Sequence, residues 1–247
     1  MSFEKFANSL VPFECFDPEA FAETAEIPQE VCDLVLSLAL AYNDYHDVVF
    51  AHTLINDLGE MPDNPLTTRL GFRNGLRNTI IRVQAGFVHE LLNLLRDNKK
   101  AIESTAYKEI IRKLSTGGRN AWTSLYSVAI NKPSSDDLAK ALLIIRNKIA
   151  FHYDSGELGR GYAVTFLNGK TTKQPLVSRG SSLVETRFYF ADAAAQSYFV
   201  SRTQASGAED FFHGTSDFLQ TINRALHEIV TRFINSRSAW SSPKAGA

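Results

Sequence analysis

At 247 residues the chain is long enough for one large domain or two small ones, and its 44% hydrophobic and 21% charged content excludes wholesale disorder. Its 2 cysteines, Cys15 and Cys32, form no Cys-x-x-Cys pair, which excludes a disulfide scaffold and a cysteine-based zinc site. The net charge of −1 is unevenly spread: residues 1–65 carry one basic residue, Lys5, against 13 acidic ones, while 66–120 carry 11 basic against 4 acidic and 121–247 carry 14 against 10.

Two readings of that asymmetry stand. The basic last two thirds suit an anionic partner such as RNA. Alternatively, an acidic first helix is neutralised by a basic second one. The start, Met1-Ser2-Phe3-Glu4-Lys5, lacks the basic and apolar regions of a signal peptide. The longest apolar run, Val31 to Tyr42, is interrupted by Asp33 and Ser37 and falls short of the roughly 20 residues a bilayer requires. A soluble cytoplasmic protein with no membrane partner is therefore expected.

An acidic, loop-like lead over 1–27 contains Pro12 and Pro18. The first helix is predicted to begin near Pro28, a residue that suits the first helical turn. Val31, Leu34, Val35, Leu38, Tyr42, Tyr45 and Val49 recur at three and four, which makes one buried stripe. Gly59, Pro62, Asp63, Asn64 and Pro65 break it. A second long helix is predicted with Leu76, Ile80, Val83, Phe87, Leu91 and Leu94 inward. Tyr107, Ile110, Ile111 and Leu114 suggest a shorter helix stopped by Gly117-Gly118. Trp122, Leu125, Tyr126 and Ile130 mark another, ended by Lys132-Pro133.

Ser134 and Asp137 form a capping-box-like start for the next helix, whose buried face is Leu138, Leu142, Ile145 and Ile149, with Gly156 and Gly159 as terminators. Between 160 and 190 the pattern shifts to alternation. Tyr162–Leu167, Thr171–Val177 and Leu183–Phe190, with Asn168-Gly169 as a turn, predict a hairpin or three-stranded meander with Pro175 at an edge. A final helix over about 208–236 turns Leu219, Ile222, Leu226, Ile229 and Phe233 inward, and 241–247 is expected to be a disordered tail. The expected fold is mainly α: an antiparallel helical bundle with a small β insert at about 160–190, forming a single domain over 28–240.

Several familiar sites fail. Gly169-Lys170-Thr171 resembles the end of a P-loop, but the first required glycine falls on Val164 and the turn opens no helix. No Gly-x-Ser-x-Gly occurs, so a serine nucleophile elbow is missing. Asp210-Phe211-Phe212-His213 only approximates, once, the repeated Glu-x-x-His pairs of a bundle metal site. No metal and no cofactor are expected.

The informative segment is Leu142-Leu143-Ile144-Ile145-Arg146-Asn147-Lys148-Ile149-Ala150-Phe151-His152-Tyr153-Asp154. An Arg-Asn pair interrupts an apolar helix, and His152 follows Arg146 with five residues between. This resembles the HEPN superfamily of helical defence and toxin–antitoxin ribonucleases, whose signature is Arg, four to six residues, then His, often with a polar residue after the Arg. Arg82 and His89 have six residues between them, but Val83 stands in the polar position. The resemblance implies a metal-independent endoribonuclease, a homodimer that brings two motifs together, and an antitoxin or defence-system partner. Around an ideal helix Arg146 and His152 lie about 120° apart. His152 continues the stripe of Ile145 and Ile149, so a buried core histidine is the competing reading.

The chemistry such residues perform is concrete. The 2′-hydroxyl of RNA attacks the adjacent phosphorus, His152 exchanges the proton, and Arg146 faces the phosphoryl charge. Asn147 orients the imidazole or a phosphate oxygen, Tyr153 offers a stacking surface, and Lys148 adds a phosphate contact. The products are a 2′,3′-cyclic phosphate and a 5′-hydroxyl. Arg69, Arg73 and Arg77 recur every four residues and either track an RNA backbone or pair with Asp44, Asp47 or Asp57. Two other functions remain open at this point: a catalytically silent module of the same kind that binds nucleotide, RNA or a partner protein, and a plain helical scaffold.

Overall fold

In the computed structural model, residues 14–56, 68–130, 155–167, 175–178, 186–202 and 208–242 are described. Among them the protein is mainly α, as its apolar periodicity predicts. The helices are α1 (Gln29–Asn56), α2 (Thr68–Asp97), α3 (Lys99–Glu103), α4 (Thr105–Arg112), α5 (Thr116–Ile130), α6 (Ser155–Tyr162), α7 (Tyr189–Arg202) and α8 (Ala208–Asn235). The predicted helix at 134–153 lies outside the described residues. Contacts divide the chain into two compact units. One, the Arg77 unit, comprises Met1–Phe3, Asp47–His89 and Asp136–Thr215; the other, the Trp122 unit, comprises Glu4–His46, Glu90–Ser135 and Ser216–Ala247. The boundaries fall inside α1, α2 and α8, so three long helices each contribute to both.

In the Trp122 unit the predicted stripes of α1 and α8 are buried: Val31, Leu34, Val35, Leu38 and Tyr45 on one, Leu219, Ile222, Leu226, Ile229 and Phe233 on the other. Burying a side chain of this size contributes about 1.5–3 kcal/mol. Tyr107 and Ile110 from α4, Trp122 and Leu125 from α5, and Leu114 between them complete this core. Ile130, one of the residues that mark this helix in the sequence, is 46% exposed at the end of α5.

Gly117-Gly118 does not stop a helix. α4 ends at Arg112, and both glycines lie in the first turn of α5. Ser115 caps that turn, its Oγ accepting the Gly118 N–H at 3.0 Å. A Cβ on Gly118 would collide with the Glu228 carboxylate, and one on Gly117 would press on the Arg224 guanidinium. The two glycines admit charged side chains of α8 rather than ending a helix.

The lead and the end of the chain are stitched together in this same unit: Ser241, expected to open a disordered tail, is paired with Cys15, and 243–247 of that tail lie outside the described residues. Cys15 and Ser241 exchange backbone hydrogen bonds of 2.8 and 2.9 Å. The rings of Phe16 and Trp240 meet edge-on at 5.6 Å. Arg237 donates to the Ala22 carbonyl and, at 3.2 Å, to the Cys32 sulfur. The Glu30–Lys100 ion pair, 3.6 Å and well exposed, puts an acid of α1 beside a base of α3. The base belongs to α3 and not to the second helix that the charge asymmetry suggested, and an exposed pair of this kind adds at most about 1 kcal/mol.

In the Arg77 unit the stripe of α2 is rotated from the predicted one. Ile81, Ala85 and Val88 are buried, Leu76 and Ile80 are half-buried, and Val83 is 38% exposed. The helix carries apolar residues around much of its girth, so spacing alone offers two adjoining stripes and packing selects one.

The β insert is also corrected over its described part. Tyr162–Leu167 forms no strand: Tyr162 ends α6, and Ala163–Leu167 continue it as a π-helical turn. Tyr162 and Phe166, four apart, put their rings 4.9 Å from each other, and Tyr162 meets Phe190 edge-on at 6.1 Å. Thr165 donates to the Gly161 carbonyl at 2.7 Å, a bond along a helix. Aromatic and β-branched residues that suggest a strand thus serve a helical packing contact. Gly156 and Gly159 lie within α6 instead of terminating a helix, and Gly161 is pressed against the Ala194 carbonyl of α7. Of the other predicted strands, 171–174 and 183–185 lie outside the described residues. Ser178 and Arg187 form an isolated antiparallel bridge, and Tyr189 already opens α7. No helix among the described residues is long and apolar enough to cross a membrane.

Candidate functional site

The motif residues Arg146, Asn147, Lys148, His152 and Tyr153 lie outside the described residues. Of the expected contact residues, Arg73 and Arg77 are described. They stand one turn apart on α2, about 40° apart around the helix at 100° per residue. Both are half-buried, and the Nε atom of each is buried.

The opposite side of the same helix is occupied by structure. Gly75 and Asn78 lie roughly 100–160° around from Arg73 and Arg77. The Arg187 guanidinium rests on Gly75, where a Cβ would overlap it. Arg187 pairs with Asp192 at 2.9 Å, and Asn78 donates to the Asp192 carbonyl at 3.1 Å. Arg187 also holds Ser178 through backbone bonds of 2.9 and 3.1 Å. One face of α2 therefore fixes the 187–192 segment, and the other carries the two arginines.

The residue that sequence reasoning missed is His52 on α1. Burial holds its imidazole pKa below the usual histidine value, and the positive charge of Arg77 lowers it further. At neutral pH the ring is therefore neutral, with one nitrogen able to accept a proton. The sequence contains half of the signal. His52 follows Val49 by three and so continues the α1 stripe, which foretells a half-buried histidine. Its partner lies 25 positions further along the chain, and only the fold brings their charges within reach.

The other flagged pair, Arg82 and His89, is used differently. Arg82 turns to Thr79 of its own helix, with Nη2 3.0 Å from Oγ1. His89 is half-buried with its Nδ1 atom covered. Chemically, a neutral imidazole that feels the charge of a guanidinium suits an anion such as a phosphate: the cation binds it, and the imidazole accepts a proton from a neighbouring hydroxyl. Compared with known proteins, the chain matches no protein-family model, no curated protein and no solved structure.

Proposed function

We propose that this protein is a metal-independent, HEPN-like endoribonuclease that works as a cytoplasmic homodimer in a prokaryotic defence or toxin–antitoxin setting. The observation that carries the reading is the segment Arg146-Asn147 with His152 after five intervening residues, set in an apolar helical pattern. His152 takes the proton from the RNA 2′-hydroxyl as its oxygen bonds to phosphorus; the bond from phosphorus to the 5′-oxygen breaks, and that oxygen receives a proton. Arg146 faces the phosphoryl charge, Asn147 orients, and Lys148 and Tyr153 hold the flanking nucleotide. Arg73 and Arg77 contact the RNA backbone.

The half-buried imidazole of His52, held neutral by burial and by the charge of Arg77, supports an anionic ligand on this unit. It equally supports a second reading, a silent module that binds RNA, nucleotide or a partner protein, since holding a phosphate requires no cleavage. The deciding experiment incubates purified protein with RNA in excess chelator and identifies the fragment ends. Cyclic phosphates and 5′-hydroxyls, lost on substitution of Arg146 or His152 in a protein that remains folded, establish the nuclease. Salt-dependent RNA binding without cleavage establishes the silent module.

A further inference from the structure

The acidic first part of the chain is scarcely neutralised within the fold. Residues 14–46, all in the Trp122 unit, carry eight carboxylates and no lysine or arginine, and all eight are exposed. Among the described residues Glu30 alone of them pairs with a base, Lys100. Carboxylates left in this state repel one another, and a cationic partner relieves that repulsion.

Local sequence decides which side of α1 some of them share. Val31, Leu34, Val35 and Leu38 take the inner side and are buried. At about 100° per residue Leu36 and Leu40 lie about 40° apart on the outer side, and Asp33 and Asp44 fall within the same sector of about 80°. Leu36 is 56% exposed and Leu40 63%. Asp33 stands one turn before Leu36 and Asp44 one turn after Leu40, so the stripe reads acid, leucine, leucine, acid over about 16 Å. The Gln29 side-chain amide donates to the Asp33 carboxylate at 2.8 Å and holds it at the head of the stripe. A single exposed leucine is ordinary on a protein surface. Two of them one turn apart, on a helix without a basic side chain, make the pattern of anchors by which one helix is read by another.

The chemistry of the stripe selects its occupant. Its carboxylates repel the phosphates of RNA and of anionic lipids, and a bare cation gains nothing from the leucines. A second copy laid α1 on α1 about a two-fold axis would bury leucine on leucine, but it would also face the acids of one copy with those of the other. A helix that carries leucine-sized side chains three and four apart, with lysine or arginine beside them, meets both demands of the stripe.

We propose that the outer face of α1, Leu36 and Leu40 between Asp33 and Asp44, docks a basic amphipathic helix of a partner protein. The leucines are the buried anchors, and the carboxylates steer the encounter and fix the orientation. The surface is independent of the ribonuclease reading, which uses none of these residues.

The test uses the full chain and a panel of fluorescein-labelled synthetic helices. Each has leucines at three- and four-residue spacing on one face and lysines beside them, with the register of the lysines varied across the panel. Fluorescence anisotropy at low salt is expected to show saturable binding within the panel. Leu36→Ser and Leu40→Ser should each weaken it about tenfold, and Asp33→Lys or Asp44→Lys should weaken it and flatten its salt dependence. All four positions are exposed, and thermal unfolding checks that each variant keeps the fold. No saturable binding across the panel overturns the proposal. Equal binding of a scrambled control of the same composition, or of one with glutamates in place of the lysines, overturns it too. Binding that survives both leucine substitutions has the same force, since the probe then sits elsewhere. If the chain alone sediments as an oligomer that Leu36→Ser with Leu40→Ser dissociates, the face belongs to a second copy and the proposal fails.

Discussion

The Glu228 carboxylate of α8 accepts both the backbone N–H and the hydroxyl of Ser115, at 3.0 and 2.7 Å, although 113 residues separate the two. Ser115 is the cap of α5, and in an ordinary capping box the residue three positions on would supply a Glu or Gln side chain to its N–H. Here that residue is Gly118, which has none. Glu228 reaches in from another helix and occupies the space a side chain there would fill. The box is completed across the fold, and a negative charge lies at the positive end of α5.

Glu228→Ala is expected to lower stability by about 1–2 kcal/mol, the usual scale for losing a helix cap. Placing a glutamate at position 118 in that background rebuilds the box within α5, so Gly118→Glu should recover part of the loss in the absence of Glu228 and deepen it in its presence. Chemical unfolding of the four proteins checks this. Equal effects of Gly118→Glu in both backgrounds would refute the shared-space account.

Gly161→Ala tests the contact between α6 and α7. The added methyl meets the Ala194 carbonyl, a backbone group that moves only if a helix shifts. A loss of about 1–3 kcal/mol is expected, the range for overpacking. Gly159→Ala, two residues earlier on the opposite face of the helix in a position open to solvent, should be neutral or stabilising because alanine favours the helix. Melting curves that rank the two variants in the reverse order would show that the crossing is mispositioned.

His52 links stability and anion binding to pH. Its pKa is depressed in the folded chain, so the unfolded chain binds more protons as the pH drops below the unperturbed histidine value of about 6.5. Stability carried by neutral His52 is therefore present above that pH and lost on acidification toward the lower folded value. His52→Gln should flatten the fall in Tm between neutral and mildly acidic pH. A bound phosphate neutralises the effect of Arg77, so adding RNA or phosphate should raise the His52 pKa in a proton NMR titration. An unmoved His52 resonance, with RNA demonstrably bound, would place the anion elsewhere.

For the proposed nuclease, His152→Ala should cost about 10²–10⁴ in cleavage rate, the scale of a lost proton acceptor. Arg146→Ala should be similarly severe, and Asn147→Ala milder if the amide only orients. Arg73→Ala and Arg77→Ala should weaken RNA binding and reduce its salt dependence, with a smaller effect on the cleavage step once RNA is saturating. Magnesium-dependent cleavage that leaves 5′-phosphates would rule out the 2′-hydroxyl mechanism.

Helix positions were largely readable from the chain, because an apolar stripe at three and four is a local property. Pro28, the α1 stripe from Val31 to Tyr45 and the α8 stripe from Leu219 to Phe233 predicted two long helices and their buried faces. The candidate chemistry at Arg146 and His152 is a reading of residue type and spacing alone, and both lie outside the described residues.

What the sequence could not determine depended on which distant groups meet. The α2 stripe had two adjoining solutions, and burial of Ile81, Ala85 and Val88 selected one. Tyr162–Leu167 had a strand's composition, yet the rings of Tyr162, Phe166 and Phe190 made it helical by packing on one another. Gly117-Gly118 reads as a break until Glu228 and Arg224 arrive to fill the space above it. His52 looked like an ordinary member of a helical stripe until Arg77 lowered its affinity for a proton. Periodicity acts over a single turn of helix and is written in the chain, whereas packing and electrostatics act through space between residues far apart in sequence, and these only the tertiary structure decided.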